Sequence, residues 1–527
     1  MKSKIISIGL LAIIFSSCGF ERSGVTGWNL NDPKSGGYEK AAFINQETGP
    51  NLVFIQGGTF FMGRVEQDVN YDWNNIPRQV TVSSFYMDET EITNFHWGEY
   101  IYWLDRVFGA DYPQVYVKAL PDTMVWRDKL AYNEPYVDYY FRHPAYRDYP
   151  VVGVNWLQST DFCAWRTDRV NEIILIREGI LKHYLNQVNE DNFNTDAYLL
   201  GQYESGKNIE GIPDYHPNRD FRNVRMEDGI LLPKYRLPTE SEWEYSAYGL
   251  IGNAIGERII ERRQWPWNGH AVRNPDEKSI GMMLANFKRG RGDNMGVAGR
   301  LNDNADVTAP VYSYWPNDYG LYNMGGNVSE WVMDVYRSLS NEDMSDFRSF
   351  RGNVYQTYQK DEEGNVAEKD SLGKIRMTNV KEKDNIERRN YRKSDNINFL
   401  DGNFESSTDD TKWKEEPKAE DEAAPAEGGG EGGGEGGDGG GEVAAATEEP
   451  QIPESQSMYN SPMSATDRSK EFSSMIDDKA RVFKGASWKD RAYWMNPGTR
   501  RFLDQKQRSS YLGFRCAMDR VGSPMGF

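Results

Sequence analysis

Short runs of apolar residues alternate with clusters of Gly, Asn, Pro and Asp along most of the chain from Asn51 onward. This pattern predicts short strands joined by turns. The segment NLVFIQGGTFFMG at 51–63 predicts a β-hairpin with its turn at Gly57-Gly58. Because 13% of the residues are aromatic, a chain of 527 residues has ample material for a core.

Two segments have apolar residues at helical spacing. The first helix is predicted to begin near Thr93, and its apolar face carries Trp97, Ile101 and Leu104. The second is predicted to begin near Thr160, with an apolar face formed by Phe162, Trp165, Ile173, Ile176 and Ile180.

A third helix has the clearest end signals. Thr239 and Glu242 match a capping box, in which each side chain satisfies a backbone N–H of the other's residue. Gly249 is a helix terminator, so we expect the helix to stop there. Trp243, one turn into the helix, is its predicted core anchor.

The N-terminus has the pattern of a secretory signal. A basic start precedes the apolar run Ile5–Phe15, which is too short to span a bilayer, and small residues lead to Cys18. We expect residues 1–17 to be removed and Cys18 to carry acyl chains such as palmitate, because two or three chains anchor a protein stably. The alternative is an ordinary signal peptide that contains a cysteine.

Composition divides the rest of the chain. Polar residues 18–48 are typical of a lipidated tether. Residues 49–337 and 481–527 have the texture of one domain, with insertions predicted at about 170–230 and at 338–480. Within the second insertion, residues 404–467 include a glycine- and glutamate-rich stretch that buries almost nothing, so we expect disorder there. The net charge of −19 argues against nucleic acid as a partner.

Seven motifs then follow in a fixed order: FIQGGTFFMG, FYMDETEITN, YPVVGVNW, YRLPTESEWEYSAYG, APVYSYWPNDYGLYNMGGNVSEW, RVFKGASW and LGFRCA. This series resembles the formylglycine-generating enzyme (sulfatase-modifying factor) family from one end of the domain to the other. The resemblance implies an α+β fold, loop-rich and related to C-type lectin domains, with long insertions.

A narrower resemblance is to gliding-motility lipoproteins of Bacteroidota. It is carried by TGWNLNDPKSGGYE, LPDTMVWRDKL, YFRHPAYRDYPVVGVNW and GFRCAMDRVGSP. It implies partners in gliding and type IX secretion, among them a related ring lipoprotein, and contact with outer-membrane lipid through the acyl anchor. Since GFERSG after the cysteine lacks the acidic cluster of surface-exported lipoproteins, we expect the periplasmic face of the outer membrane.

The family enzyme oxidises a substrate cysteine with copper held by two cysteines. The matching positions here are Asp490 and Met495. A carboxylate is a poor ligand for Cu(I) and a lone thioether is a weak one, so we expect no copper and no catalysis. The five histidines are too far apart in sequence for a helical or turn metal motif, and we interpret them as surface or packing residues.

The resemblance also implies structural calcium. One site maps to the side chains of Asn323 and Glu330 and the carbonyls of Gly326 and Val328. A second, weaker match is to Asn286, Phe287, Asp303 and Ala305. Carboxylate, amide and carbonyl oxygens suit this hard cation. The alternative at the first site is a Gly-Asn turn held by its own hydrogen bonds.

Two further features leave alternatives open. Cys163 and Cys516 could pair in an oxidising compartment or remain buried thiols. An aromatic set could line a sugar cleft, although core packing is the simpler interpretation: Trp265, Trp267, Trp315 and Trp331. We therefore expect a non-catalytic scaffold of gliding motility and type IX secretion, with a glycan- or peptidoglycan-binding lipoprotein or a remodelled modifying enzyme as alternatives.

Overall fold

A computed structural model describes residues 21–64, 68–205, 211–257, 263–267, 271–291, 303, 305–337, 347–352, 354, 356–361, 363–380, 476 and 478–522, with backbone alone over 250–257. The predicted signal peptide, Cys18 and the glycine-rich stretch at 404–467 lie outside the described residues. No helix in the described ranges is long and apolar enough to cross a membrane.

The architecture combines helices with short strands, as the sequence predicted. The α-helices are α1 (Asn94–Phe108), α2 (Pro113–Ala119), α3 (Glu134–Tyr139), α4 (Trp156–Arg177), α5 (Thr195–Leu199) and α6 (Glu240–Glu257). Single 3-10 turns lie at Pro33–Ser35, Thr123–Trp126, Pro144–Tyr146, Asn189–Asp191, Met226–Asp228 and Ala492–Met495. Loops join these elements over much of the chain.

Within the described residues the strands are short, and they form two four-stranded sheets and three two-stranded sheets. They are β1 (Leu52–Ile55), β2 (Gly58–Met62), β3 (Arg78–Val82), β4 (Phe85–Asp88), β5 (Ile212–Pro213), β6 (Phe221–Arg222), β7 (Tyr235–Arg236), β8 (Ser329–Val335), β9 (Gln356–Tyr358), β10 (Met377–Asn379), β11 (Ala480–Lys484), β12 (Arg501–Asp504), β13 (Leu512–Gly513) and β14 (Ala517–Asp519). The larger sheets have the orders β1-β4-β14-β7 and β12-β11-β8-β13, and β2-β3, β5-β6 and β9-β10 form the antiparallel pairs.

Strands that are far apart in sequence are neighbours in both four-stranded sheets. The C-terminal strand β14 lies between β4 and β7, and β11 is antiparallel to β8 across the predicted second insertion. Residues after 480 therefore complete both four-stranded sheets, one of which begins at Leu52 and the other at Ser329. Strands from both sides of the predicted second insertion therefore share one sheet.

The predicted hairpin at 51–63 is wrong. Its first half, β1, pairs with β4, and its second half, β2, pairs with β3 in a different sheet. Gly57 lies where the chain crosses between the two, and a Cβ there would come 2.3 Å from the Val82 carbonyl oxygen. The glycine pair therefore permits close passage past another segment and does not form a tight turn.

The helix predictions hold with adjustments. Thr93 caps α1, whose Trp97, Ile101 and Leu104 are buried. Helix α4 begins earlier than predicted, at Trp156, because Asn155 and Gln158 form a capping box. Ile173 on α4 is exposed, contrary to expectation, whereas Phe162 is buried.

The third helix has the predicted capping box, with Thr239 and Glu242 accepting hydrogen bonds from each other's backbone N–H. Trp243 is fully buried, as predicted. Gly249, with φ of 69°, makes a kink where we predicted an end, and helical backbone continues to Glu257. A left-handed residue breaks the regular hydrogen bonding but allows a second helical segment to start at once.

The polar segment before the domain is held against it. Arg222 donates to Glu39, Arg177 pairs with Glu47, and the Gln46 amide donates to the Asp519 carbonyl. Described residues 21–48 contain no α-helix or named strand. The predicted tether is therefore irregular in structure but docked over part of its length.

Candidate metal-binding loops and the position of the family's copper site

The loop that precedes β8 carries the first predicted calcium site. Asn323 and Asn327 have positive φ, and Gly326 has φ of 94°. A Cβ on Gly326 would lie 2.5 Å from the carbonyl oxygen of Asn286, and the Asn327 N–H donates to that same oxygen at 2.8 Å. The two predicted calcium loops therefore touch, and glycine is required at their contact.

Glu91 is the residue that organises the first loop, and sequence reasoning missed it. Its fully buried carboxylate accepts from the Nδ2 atoms of Asn323 and Asn327 at 2.8 and 3.0 Å. Burial, together with the nearby Glu330, raises the pKa of Glu91 to about 8. Its position in the motif FYMDETEITN was visible, but nothing local indicates that it meets a loop more than 200 residues away.

Glu330 has protein donors on both oxygens. Arg515 donates through Nη2 and Nε at 2.6 and 2.7 Å, and the Trp243 indole donates at 2.8 Å. Arg515 and Glu330 are both buried, so the guanidinium already neutralises this carboxylate. The first loop is thus held by hydrogen bonds to Glu91, Arg515 and Trp243 and not by a turn's own hydrogen bonds, and its oxygens fit calcium poorly.

The second predicted site fits better. Asp303 Oδ1 accepts from the Ala305 N–H, but Oδ2 is buried and has no partner among the described residues. Burial raises the pKa of Asp303, as expected for a carboxylate that lacks a nearby cation. Calcium there would be held by Asn286 and Asp303 with the carbonyls of Phe287 and Ala305, and its role would be to tie loops together.

Asp490 and Met495, the positions predicted from the sequence to match the copper ligands, have structural partners. Asp490 accepts from the N–H and hydroxyl of Ser487 at 2.9 and 2.6 Å and forms a bidentate pair with Arg501 at 2.8 and 2.9 Å. Met495 is fully buried in an apolar cluster with Trp265, Met283 and Phe287. The Asp490 side chain therefore closes a turn, and the Met495 side chain fills part of an apolar cluster.

Other candidate residues are spread through the molecule. Trp331 is buried in the main core, Trp265 and Trp267 stack in a separate cluster, and Trp315 is 62% exposed, so the four tryptophans form no common cleft. His96 and His143 accept backbone N–H groups at helix starts. Within the described ranges, no three His, Cys, Asp or Glu side chains are grouped to hold a metal.

Cys163 on α4 and Cys516 before β14 lie together in the core. Their Sγ atoms are 3.4 Å apart and are not bonded. Burial and the neighbouring thiol raise the pKa of Cys516. Asp88 accepts from the Cys516 N–H and pairs with Arg166, so the thiols lie beside a buried ion pair.

Comparison with known proteins establishes the family. The sulfatase-modifying factor enzyme 1-like domain matches residues 39–380, and the chain belongs to this family. It is 25% identical over 288 residues to the formylglycine-generating enzyme of Mus musculus, covering 54% of this chain and 58% of that protein. It is 24% identical over 323 residues to the inactive C-alpha-formylglycine-generating enzyme 2 of Bos taurus, covering 57% and 75%.

Among solved structures, Treponema denticola variable protein 1 is similar, with 14% identity, a TM-score of 0.35 and coverage of 90% of this chain and 98% of that one. The chain spans little more than half the length of the mouse relative. The matched relatives include a protein named as an enzyme and one named as inactive. Membership of the family confirms the α+β, loop-rich fold that the motifs predicted.

Proposed function

We propose that this chain is a non-catalytic lipoprotein of the outer membrane, similar to the gliding-motility lipoprotein GldJ of Bacteroidota, and a scaffold of gliding motility and type IX secretion. The observation that carries the non-catalytic part is the occupation of the copper-ligand positions by an Asp490–Arg501 ion pair and a buried Met495. Neither side chain presents a thiolate, which Cu(I) chemistry of this family requires.

The scaffold part is supported by added structure around the family domain. Described parts of the two predicted insertions contact each other, since Asn192 donates to the Leu372 carbonyl and Lys369 donates to the Glu190 carbonyl, each at 2.8 Å. Extra ordered surface on a family fold is a common means of adding partners. Cys18 would supply the anchor, on the periplasmic face.

Co-purification tests the scaffold. The natively expressed, tagged chain is extracted from outer membranes in mild detergent, and its companions are identified by mass spectrometry. We expect secretion-ring or gliding components in near-stoichiometric amounts. Recovery of the chain alone at good yield would contradict a stable scaffold role, and protease shaving of intact cells that removes it would contradict the periplasmic face.

A separate assay tests the absence of catalysis. The purified chain is supplied with copper and a cysteine-containing peptide, with a copper-loaded formylglycine-generating enzyme as the positive control. We expect no oxygen consumption above that of free copper. Oxygen uptake that depends on this protein would support the alternative of a remodelled enzyme.

A further inference from the structure

The chain directly after the predicted lipid anchor forms a small hairpin, called here the N-terminal hairpin (residues 22–29). At its open end, the Leu30 N–H donates to the Glu21 carbonyl at 2.7 Å. Nearer the turn, the Ser23 N–H donates to the Trp28 carbonyl at 2.8 Å. The first described residues of the chain therefore have a defined, hydrogen-bonded structure.

The N-terminal hairpin is attached to the domain through a short docked segment. The Asn29 side chain donates through Nδ2 to Asp32 Oδ2 at 3.1 Å, which joins the hairpin to the turn that follows it. Gly37 then passes the first insertion so closely that a Cβ there would lie 2.1 Å from the Tyr215 carbonyl oxygen. Glu39, two residues later, is ion-paired to the same insertion. The position of the hairpin is therefore set by the domain.

The hairpin exposes two apolar side chains to solvent. Val25 lies at its turn and is 96% exposed, and Trp28 is 61% exposed. The Trp28 ring is supported on one side by Gly36, because a Cβ on that glycine would lie 3.7 Å from the ring. Single exposed apolar residues are common on protein surfaces, so a role for these two has to be argued from their position.

The length of the chain limits how far the hairpin can lie from the predicted anchor. Only Gly19 and Phe20 separate Cys18 from Glu21, so the fully extended chain between Cys18 and Glu21 spans at most about 11 Å. The chain from Cys18 to Val25 spans at most about 25 Å. Acyl chains on Cys18 would hold that residue at the bilayer surface, and the hairpin would then lie beside the lipid headgroups.

The chemistry of the two side chains suits the boundary between lipid and water. Tryptophan combines a large apolar ring with an N–H donor and is enriched at membrane interfaces for that reason. Val25 adds apolar surface at the tip of a turn, where it can be buried among headgroups without burying a regular element. Attachment at an interface strengthens with the apolar area that it buries.

We propose that the N-terminal hairpin inserts Val25 and Trp28 into the interface of the bilayer that holds the lipid anchor. The proposal rests on the proposed function, because the anchor at Cys18 brings the hairpin to the membrane. Acyl chains alone would let the domain pivot about Cys18. The inserted side chains make a second contact, which restricts that movement and is transmitted to the domain through the docked segment.

A fluorescent label at Gly24 tests the contact. Gly24→Cys accommodates a side chain, because a Cβ there meets nothing within 4 Å. Cys163 and Cys516 are buried and Cys18 is blocked by its acyl group, so an environment-sensitive nitrobenzoxadiazole label reacts at the new thiol. The full lipidated chain is reconstituted into vesicles of phosphatidylethanolamine and phosphatidylglycerol. We expect the emission of the label to shift to shorter wavelength and to be quenched by lipids spin-labelled near the headgroup.

Variants that carry the same label identify the side chains responsible. We expect Val25→Ser and Trp28→Ser each to reduce the quenching, and the double variant to abolish it, because the apolar area available for insertion is removed. The matched control is Trp315→Ser, since Trp315 is 62% exposed and lies outside the hairpin, and it should leave the quenching unchanged. If Trp28→Ser disturbs the hairpin, Val25→Ser still decides the outcome, because the Val25 side chain is almost fully exposed.

The mass of the N-terminal peptide separates failure of this inference from failure of the proposed function. If Cys18 is acylated but the label emits as it does in water, the inference is overturned and the anchor stands. Shielding of the label in native outer membranes but not in vesicles of lipid alone would mean that the hairpin contacts a protein, which also overturns the inference. If Cys18 carries no acyl chain, the anchor is wrong and the inference fails with it.

Discussion

Several buried carboxylates in the core are paired with buried cations. Glu240 at the start of α6 is buried, with Arg500 at 2.6 Å and Lys484 at 3.3 Å from its oxygens. These cations lower its pKa to about 2. Because the folded pKa is below the ordinary value, the stabilisation is complete above about pH 4.5 and is lost as pH falls toward 2.

We predict that Glu240→Gln lowers the free energy of unfolding by about 3 kcal/mol at pH 7, since it leaves buried cations with one fewer counter-charge. The variant should also lose less stability than the parent between pH 5 and pH 3. Urea unfolding across that range measures both effects. The control is Glu363→Gln at an exposed position, and equal pH slopes in parent and Glu240→Gln would contradict the role of Glu240.

The two core thiols give a second prediction at the residue scale. With Sγ atoms 3.4 Å apart and a separation of 353 positions in sequence, Cys163 and Cys516 should form a disulfide on exposure to an oxidising compartment. We expect reduction to lower stability by about 2–4 kcal/mol. Mass spectrometry after alkylation without reductant checks this, and two alkylated cysteines in native, exported protein would exclude the pair. Cys163→Ser is insensitive to reductant if the prediction is correct.

Among the elements, helices could be predicted because their signals are local. The helix start near Thr93 and the Thr239–Glu242 capping box are both predicted from nearby residues, and the structure confirms both. Strand pairing could not be predicted in the same way. Strand β1 pairs with β4, and β2 and β3 lie between them in the sequence. This pairing is determined by which faces of the strands are buried in the folded chain, which no local signal specifies.

The loop before β8 yields a prediction that compares two glycines. Gly326→Ala would place a Cβ 2.5 Å from the Asn286 carbonyl at φ of 94°, so we expect a loss of about 2 kcal/mol or more. Gly98 in α1 has open space around its missing Cβ, and Gly98→Ala should instead stabilise by about 0.5–1 kcal/mol. Thermal melting separates the two, and similar effects at both sites would contradict this account.

At the scale of the whole molecule, the order of the motifs predicted the family and its α+β fold. The same motifs predicted only part of the candidate sites. The mapped calcium residues do lie in adjoining loops, as the Asn286–Asn327 contact shows. The contacts of Glu91 with Asn323 and of Arg515 with Glu330 join residues that lie far apart in the sequence. No sequence window contains both partners of such a contact, so local pattern reasoning does not reach them.

Loop tying by calcium would be a property of the molecule as a whole, and chelation tests it. If calcium binds where Asp303 Oδ2 lacks a partner, EDTA should lower the Tm by several degrees, as expected for removal of a ligand bound only by the folded state. Asp303→Asn should then remove most of this sensitivity. Glu330→Ala should remove the EDTA sensitivity only if the ion occupies the first loop, where it would have to compete with Arg515 for the Glu330 carboxylate.

The two variants therefore assign the ion to a loop, and added magnesium serves as the control, because its preference for octahedral geometry suits this carbonyl-rich set poorly. Loss of EDTA sensitivity in Asp303→Asn with its retention in Glu330→Ala would place calcium at the second loop, where the orphaned carboxylate oxygen lies. The reverse would mean that Arg515 moves from Glu330 when the ion binds. Identical melting of the parent with and without chelator, after extended dialysis, would contradict structural calcium at either loop.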